Sequence, residues 1–589
     1  MTVSRRQVLS AAALAAGGTL TRAPAAAPAA LSRSSGRSVA VLGGGVAGLT
    51  AAQELAERGF SVTLFERKAL GGKARSMPFP GTGTGGRDDL PGEHSFRVVF
   101  GFYRNLPDTL RRIPFPGNTD GVYGNLRAGT ALRLALTGGR RSIVLPSREL
   151  ARPGALTPAL LLKILAGMGE ELLHLPAHEA AYFANRLLVL FSSSEERRLG
   201  EWERIPWWRF LRAEEMSSDY RHLFAVGLTR NIVAMKAEVA STNTVGKMAE
   251  AIICNLLGLG YPDPVDRVLN APTNEAWIDP WTRHLTSCGV RIAQGCTVVG
   301  LECEGRRIVA ATVRDAAGTA RRITADWFVL AVPAERAAAL LTAPVLAADP
   351  RLAGIARLRT EWMSGMQYYL RRPVRITHGH TLHVDTPWAV SSISQAQFWP
   401  DRDFAGDYGD GAAVDCLSVM IGDWERPGVL FGKPAVACTP RQVAQDTWAQ
   451  LQASLKGGGE DPLPDGIVHS WFIPPTMSGL GTPHARHDEP LLIHPTGTWD
   501  NRPDAATALH NLFLAGDYVR TGVDVASMEG ANESARAAVN ALLDAAGSPA
   551  GPCRVWDVYR PPELQALRDM DARRHRLGLP NMFDLTPST

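Results

Sequence analysis

At 589 residues the chain has room for about three or four domain-sized units and a large core, with 45% hydrophobic and 20% charged residues. A formal net charge of +4 gives no electrostatic case for nucleic acid or an anionic membrane as the main partner. Seven cysteines without a C-x-x-C pair exclude a disulfide framework and a zinc ribbon, and read as packed thiols.

The chain opens on Ser4-Arg5-Arg6-Gln7-Val8-Leu9, a weakly apolar run from Ala11 to Leu20, and an Ala/Pro stretch ending near Ala30. Residues 1–30 resemble a twin-arginine export signal, which implies the periplasm, cell envelope or exterior as destination. A tail carrying two chance arginines, on a cytoplasmic or peripheral membrane protein, is the alternative. The apolar run falls short of the ~20 residues that span a bilayer.

Val39 to Leu42 reads as a buried parallel strand that breaks into Gly43-x-Gly45-x-x-Gly48. A helical pattern follows to Arg58, and a second apolar strand, Val62 to Phe65, ends in Glu66. Each part suits a dinucleotide: Gly43 for a tight turn, Gly45 for backbone approach to a pyrophosphate, Gly48 for close helix packing. Glu66 stands where a carboxylate takes ribose hydroxyls. Gly71-Gly72 followed by Lys73 and Arg75 suits a second backbone approach to phosphate, with one of the cations supplying charge.

Together these segments resemble the flavin-dependent amine oxidase and phytoene desaturase superfamily, in which they bind the ADP half of FAD. The stretch Gly92-Glu93-His94 with Phe100-Gly101-Phe102-Tyr103-Arg104-Asn105-Leu106 is similar to the segment beneath the flavin ring in plant-type carotenoid desaturases and hydroxysqualene dehydroxylases. The resemblance makes His94 and Tyr103 flavin-proximal candidates. A core histidine bonded to a backbone carbonyl is the other reading of His94. Phe96-Arg97-Val98-Val99-Phe100 departs from the family wall.

From Thr157 to about Phe210 the spacing is helical: Leu160, Leu161, Ile164, Leu165 and Met168 recur on one side, and Ser194 begins another helix. An amphipathic cap packed on the cofactor domain is preferred over the lid of a lipid tunnel or a membrane-dipping face. Arg230 to Gly260 continues the cap. A strand carrying Val298 matches the one whose backbone meets adenine in the family, and Trp327 to Leu330 reads as another sheet strand. Residues 346–494 hold strand-like runs at Met366–Leu370 and Leu417–Met420. His484, His487 and His494 with Asp488 and Glu489 lack helical register and read as a solvated loop, not a metal site. Gly516-Asp517 closes a further strand, and a helix from Met528 aims free N–H groups at an anion, again as in the superfamily's second FAD motif. Pro562 to Arg574 reads as a short helical piece of a tail.

The expected class is therefore α/β, a discontinuous Rossmann-like FAD-binding domain with an α+β substrate domain. The cofactor domain comprises 37–110, 265–345 and 495–548, the substrate domain 111–264 and 346–494, with a tail at 549–589. The resemblance implies FAD as cofactor, no metal, and hydride transfer from an apolar isoprenoid-like small molecule, with the electron acceptor left open. An exported amine or amino-acid oxidase is the alternative, and a flavoprotein without turnover the third reading.

Overall fold

The computed structural model describes residues 37–146, 156–457 and 461–584, so the Arg5-Arg6 segment lies outside the described residues. Five short apolar strands form one parallel sheet in the order Leu512–Leu514, Trp327–Leu330, Ser38–Leu42, Ser61–Glu66, Arg291–Gln294. Continuous apolar sequence rather than alternation suits strands covered on both faces. The helices Val46–Ala56 and Met528–Ala546 lie against each other, joined by Asn532 Nδ2 donating to Thr50 Oγ1 at 2.8 Å. Segments far apart in sequence thus build a single Rossmann-like layer.

The second domain rests on a seven-stranded sheet, ordered Val468–Phe472, Ser364–Leu370, Asp415–Ile421, Val390–Ser394, Thr381–His383, Ala131–Ala135, Ile143–Pro146. Cap helices lie over one face of it and the helix Pro440–Leu455 packs on the other, and the cap helices' starts follow from sequence. Thr157 accepts from the Leu160 N–H ahead of Pro158, and Ser241 from the Thr244 N–H. Two stretches of this cap, Met168–Leu172 and Arg221–Val226, are π-helical.

Three sequence expectations need correction. Pro440–Leu455 is a helix with a Thr439–Gln442 capping box, unread because Asp446, Thr447, Gln450 and Ser454 on its buried side mask the periodicity. The helical piece of the C-terminal tail is present but is about three turns long, Gln565–Arg576, and is docked on the cap: Asp571 takes Arg197 Nε at 2.8 Å and the Ser194 N–H at 2.8 Å. The 484–494 segment is not a solvated loop either, since Glu489 and His494 are buried.

Candidate functional site

The site starts where Ser38–Leu42 ends. Gly43 has φ +116°, and a Cβ there would stand 2.4 Å from the Ala331 carbonyl oxygen. At Gly48 a Cβ would lie 1.9 Å from the Gly43 oxygen, so helix and strand meet only because it is absent. Gly45 differs: its φ is −75°, open to any residue, and a Cβ would meet nothing nearer than Gly72 Cα at 3.9 Å. The room beside Gly45 lies at the first turn of Val46–Ala56, where backbone N–H groups have no intrahelical acceptor. Gly71 and Gly72 (φ +92° and +55°) bring the second turn alongside, Gly71 N donating to Gly44 O at 2.8 Å.

Glu66 Oε2 accepts from Gly44 N at 2.8 Å and Oε1 from Lys68 N at 2.7 Å, which fixes the carboxylate and leaves each oxygen a further lone pair. Glu66, Val298, Gly516, Asp517 and Met528 line one cavity with Gly43 and Gly45. Ser527 caps the Met528–Ala546 helix through Gly530 N at 3.0 Å. Glu529, in that helix's first turn, faces away and caps the Asn105–Arg112 helix through the N–H groups of Asn105 and Leu106, at 2.7 and 2.8 Å. An open glycine cradle, two helix N-termini that donate, and carboxylates that accept from hydroxyl groups form the set of partners that FAD requires. The residues fit the cofactor.

Lys73 and Arg75 also line the cavity, but their side chains tie the Gly71–Gly72 turn to the 488–490 segment. Lys73 Nζ donates to Pro490 O, and Arg75 pairs with Glu489 at 3.1 Å. Arg67, Lys68 and Arg336 converge on Asp488, drawing the segment across the crevice. This explains why Glu489 is buried, with the nearby Arg75 and Lys68 charges holding its carboxyl below the usual range against the upward push of burial. Arg97 was not singled out from sequence. It donates to Lys73 O at 2.6 Å and Ala74 O at 3.0 Å, and it lines the cavity. Its signal, three residues after His94, is unreadable without knowing which carbonyls it reaches. Among the described residues no metal-ligand cluster forms.

His94 Nε2 lies 3.1 Å from Glu489 O, so Nε2 carries the proton and donates to the carbonyl. Burial is the main reason its pKa falls well below that of a free histidine. His94 is thus carbonyl-bonded, as its core reading has it, and it stands on the cavity wall. Tyr103 also lines the cavity, edge-on to Phe102, and burial raises its phenol pKa.

The cavity, about 840 Å³, continues from the crevice over the second sheet. At Ser95, whose Oγ donates to Met420 Sδ at 3.1 Å, the two regions join. From there register dictates the floor. Gly365, beside His94 and Ser95, pairs with Met420, Met420 with Ser391, Ser391 with Leu382, and Leu382 with Leu134. At ~4.8 Å per strand this row runs about 19 Å. Its roof is Leu165, Leu187, Leu223, Ile252 and Ile253, all hydrocarbon. Phe183 and Phe224 stack at 3.6 Å between centroids, with no gap between the rings for a ligand.

Behind the roof, Asp524 anchors the loop that precedes Met528 to the cap helix through Asn243 at 2.9 Å and Thr244 at 3.1 Å, and pairs with Arg502. Beside it Glu203 accepts from Ser241 Oγ at 2.6 Å and Trp499 N at 2.8 Å, and burial pushes its pKa from 4.5 up to about 7. The folded chain then holds a proton that the unfolded chain has released above pH ~4.5. Stability is lost as pH rises from about 4.5 to 7, by ~3 kcal/mol for this group. Glu203→Gln is expected to flatten that part of the slope, unfolding at higher urea than wild type at pH 8 but not at pH 4.5. Parallel urea curves at both pH values check it.

A family model described as flavin containing amine oxidoreductase matches residues 46–543. A carotenoid phi-ring synthase of Chlorobaculum tepidum is 24% identical over 292 residues, 48% of this chain and 40% of that one. One from Streptomyces griseus is 46% identical over 77 residues, 13% of this chain and 14% of its own. The matches thus span under half the length of these relatives. Among solved structures, an oxidoreductase from Methanosarcina mazei superposes with TM-score 0.54 at 15% identity, covering 85% of this chain and 98% of that one. Wild-type putrescine oxidase bound to putrescine gives 0.55 at 13%, covering 87% and 98%. At such identities these structures speak to fold alone.

Proposed function

We propose that this chain, which belongs to the flavin-containing amine oxidoreductase family, is an FAD-dependent dehydrogenase acting on a long, apolar, isoprenoid-like substrate. The observation that carries the reading is the hydrocarbon-lined chamber, which continues the cofactor crevice along the sheet for about four strand spacings. The similarity to carotenoid phi-ring synthases supports it. When bound, FAD supplies a hydride acceptor at its flavin ring. The chain's part is to position a substrate C–H bond and keep water out. Met420, Leu382 and Leu134 offer the substrate an apolar floor broken by Ser391, and burial favours it by ~0.8 kcal/mol per methylene. The stacked Phe183–Phe224 pair does not provide the two separated rings that would cradle a compact amine.

Anaerobic mixing of the holoenzyme with a panel of polyenes, squalene-type triterpenes and amines tests this. Loss of flavin absorbance is expected with the isoprenoids. Bleaching by amines alone would replace the reading with an amine oxidase.

The cap helix Pro158–Gly167 presents the half-buried Leu160, Leu162 and Ile164 beside Leu165, which lines the chamber. That arrangement supports a peripheral contact with a membrane as the source of such a substrate. Among the described residues no helix is long and apolar enough to cross a membrane. Export by the twin-arginine route belongs to the same proposal. Replacing Arg5 and Arg6 with Lys is expected to retain the precursor in the cytoplasm, and undiminished export of the Lys-Lys variant would refute the route.

A further inference from the structure

We propose that Asp266 and His380 form a polar station in the chamber wall that accepts a hydrogen bond from a hydroxyl group on an otherwise hydrocarbon substrate. The proposal rests on the long-chain reading and narrows it from a hydrocarbon to an alcohol.

Both side chains line the cavity and are almost wholly buried, at 6% and 4% exposure. Asp266 Oδ2 accepts from His380 N at 3.2 Å and sits 2.7 Å from His380 Nδ1. A carboxylate only accepts, so Nδ1 carries the hydrogen, and in the neutral ring Nε2 is left as an acceptor. The arrangement is built around that carboxylate. A Cβ on Gly129 would approach Oδ2 to 2.9 Å, and one on Gly379 to 3.2 Å, so two backbones close over the oxygen because both positions lack side chains. His380, Leu382 and Val384 alternate along the strand Thr381–His383 and its two flanking residues, and all three line the cavity.

Asp266 Oδ1 and His380 Nε2 are both enclosed, and neither has a hydrogen-bond partner. Buried polar atoms are nearly always paired, and leaving one unpaired costs about 1–3 kcal/mol. Oδ1 can only accept, and Nε2 accepts in the neutral ring, so the partner that satisfies both is a donor. The Phe96 ring covers the imidazole at 4.7 Å between centroids and itself lines the cavity. A ligand that shifts this ring uncovers Nε2. Elsewhere the roof of the chamber offers leucine and isoleucine. Asn231, whose Oδ1 is also unpartnered, and Ser391 line the same cavity, but only Asp266 and His380 set two unpaired atoms side by side, and such a station fixes which way round, and how far in, a long chain comes to rest. His380 is then a substrate-contacting residue and Asp266 a positioning residue that sets its tautomer.

The test uses the holoenzyme and three probes of equal length: a C20 prenyl alcohol, its methyl ether and the parent alkene, with binding read by quenching of tryptophan fluorescence. The wild type is expected to bind the alcohol about tenfold more tightly than the alkene, the size of one net hydrogen bond, with the ether close to the alkene. His380→Phe should lose the preference while binding the alkene as before, which also shows that the variant is folded, and His380→Gln should keep part of it. Asp266→Asn keeps an amide oxygen toward the two His380 N–H groups and puts an N–H donor in the place of Oδ1, so the ether should rise toward the alcohol, a change no merely structural role would produce. Equal binding of all three probes by the wild type, or a preference that survives in His380→Phe, overturns the station and leaves the long-chain reading standing. If none of the three binds, the long-chain reading falls and the station with it.

Discussion

Gly45→Val should give a folded protein that carries no flavin, whereas Gly48→Val should fail to fold. The two positions are three residues apart and chemically identical, yet the structure uses them for different ends. Gly45 has an unstrained backbone, and only Gly72 Cα, at 3.9 Å, stands near its missing Cβ. The chain itself therefore tolerates a valine. What the side chain would fill is the space over the helix N-terminus that receives the pyrophosphate. At Gly48 a Cβ would stand 1.9 Å from the Gly43 oxygen and 3.5 Å from Ala331 Cβ, with the central strand behind them. Relief requires moving the Val46–Ala56 helix off the sheet, a core overpacking worth ~3 kcal/mol or more. Flavin absorbance of the purified proteins and their far-ultraviolet circular dichroism separate the outcomes. A Gly45→Val protein with full flavin content would show that the crevice is not the cofactor site.

The cofactor crevice was legible in the sequence because its chemistry is local. Gly43, Gly45, Gly48 and Glu66 lie within one strand–helix–strand unit, where spacing dictates geometry. Gly516-Asp517 is far away in the chain, but the apolar strand Leu512–Leu514 before it announces its own place at a sheet end. The crossing of the crevice was hidden. Asp488 gathers Arg67, Lys68 and Arg336 from two separate segments, and charges in a loop sequence do not announce their partners.

The chamber floor was harder still. Ala131–Ala135 joins the second sheet by parallel pairing with Thr381–His383, a contact across some 250 residues that no local pattern encodes. The Asp266–His380 pair belongs to the same class, since each residue alone is an unremarkable polar position. In the helix Pro440–Leu455, burial of Asp446 is made tolerable by the N–H groups of Val429 and Leu430, at 2.9 and 2.8 Å. Sequence periodicity scores such a residue as solvent-facing, and tertiary hydrogen bonding overrules it.

The second large effect concerns length selection, if the floor guides a long chain. Met420, Ser391, Leu382 and Leu134 stand one, two, three and four strands from Gly365 at the cofactor end. A tryptophan at each should shorten the chamber stepwise, removing roughly four methylene-sized units, or ~3 kcal/mol, per strand spacing. Leu134→Trp is then expected to reject only the longest isoprenoids, and Leu382→Trp intermediate ones as well. Met420→Trp should reject all of them, with turnover of excluded chains falling at least a hundredfold. Flavin content should remain at wild-type level in all four variants, because none of the four positions lies on the glycine cradle or its carboxylates. The signature is the order: the longest chain accepted must shorten step by step from the Leu134 variant through Leu382 and Ser391 to Met420, following strand order in the sheet. Variants that slow every chain length alike would mean that the substrate does not lie along this floor, and a compact site at the crevice would take its place.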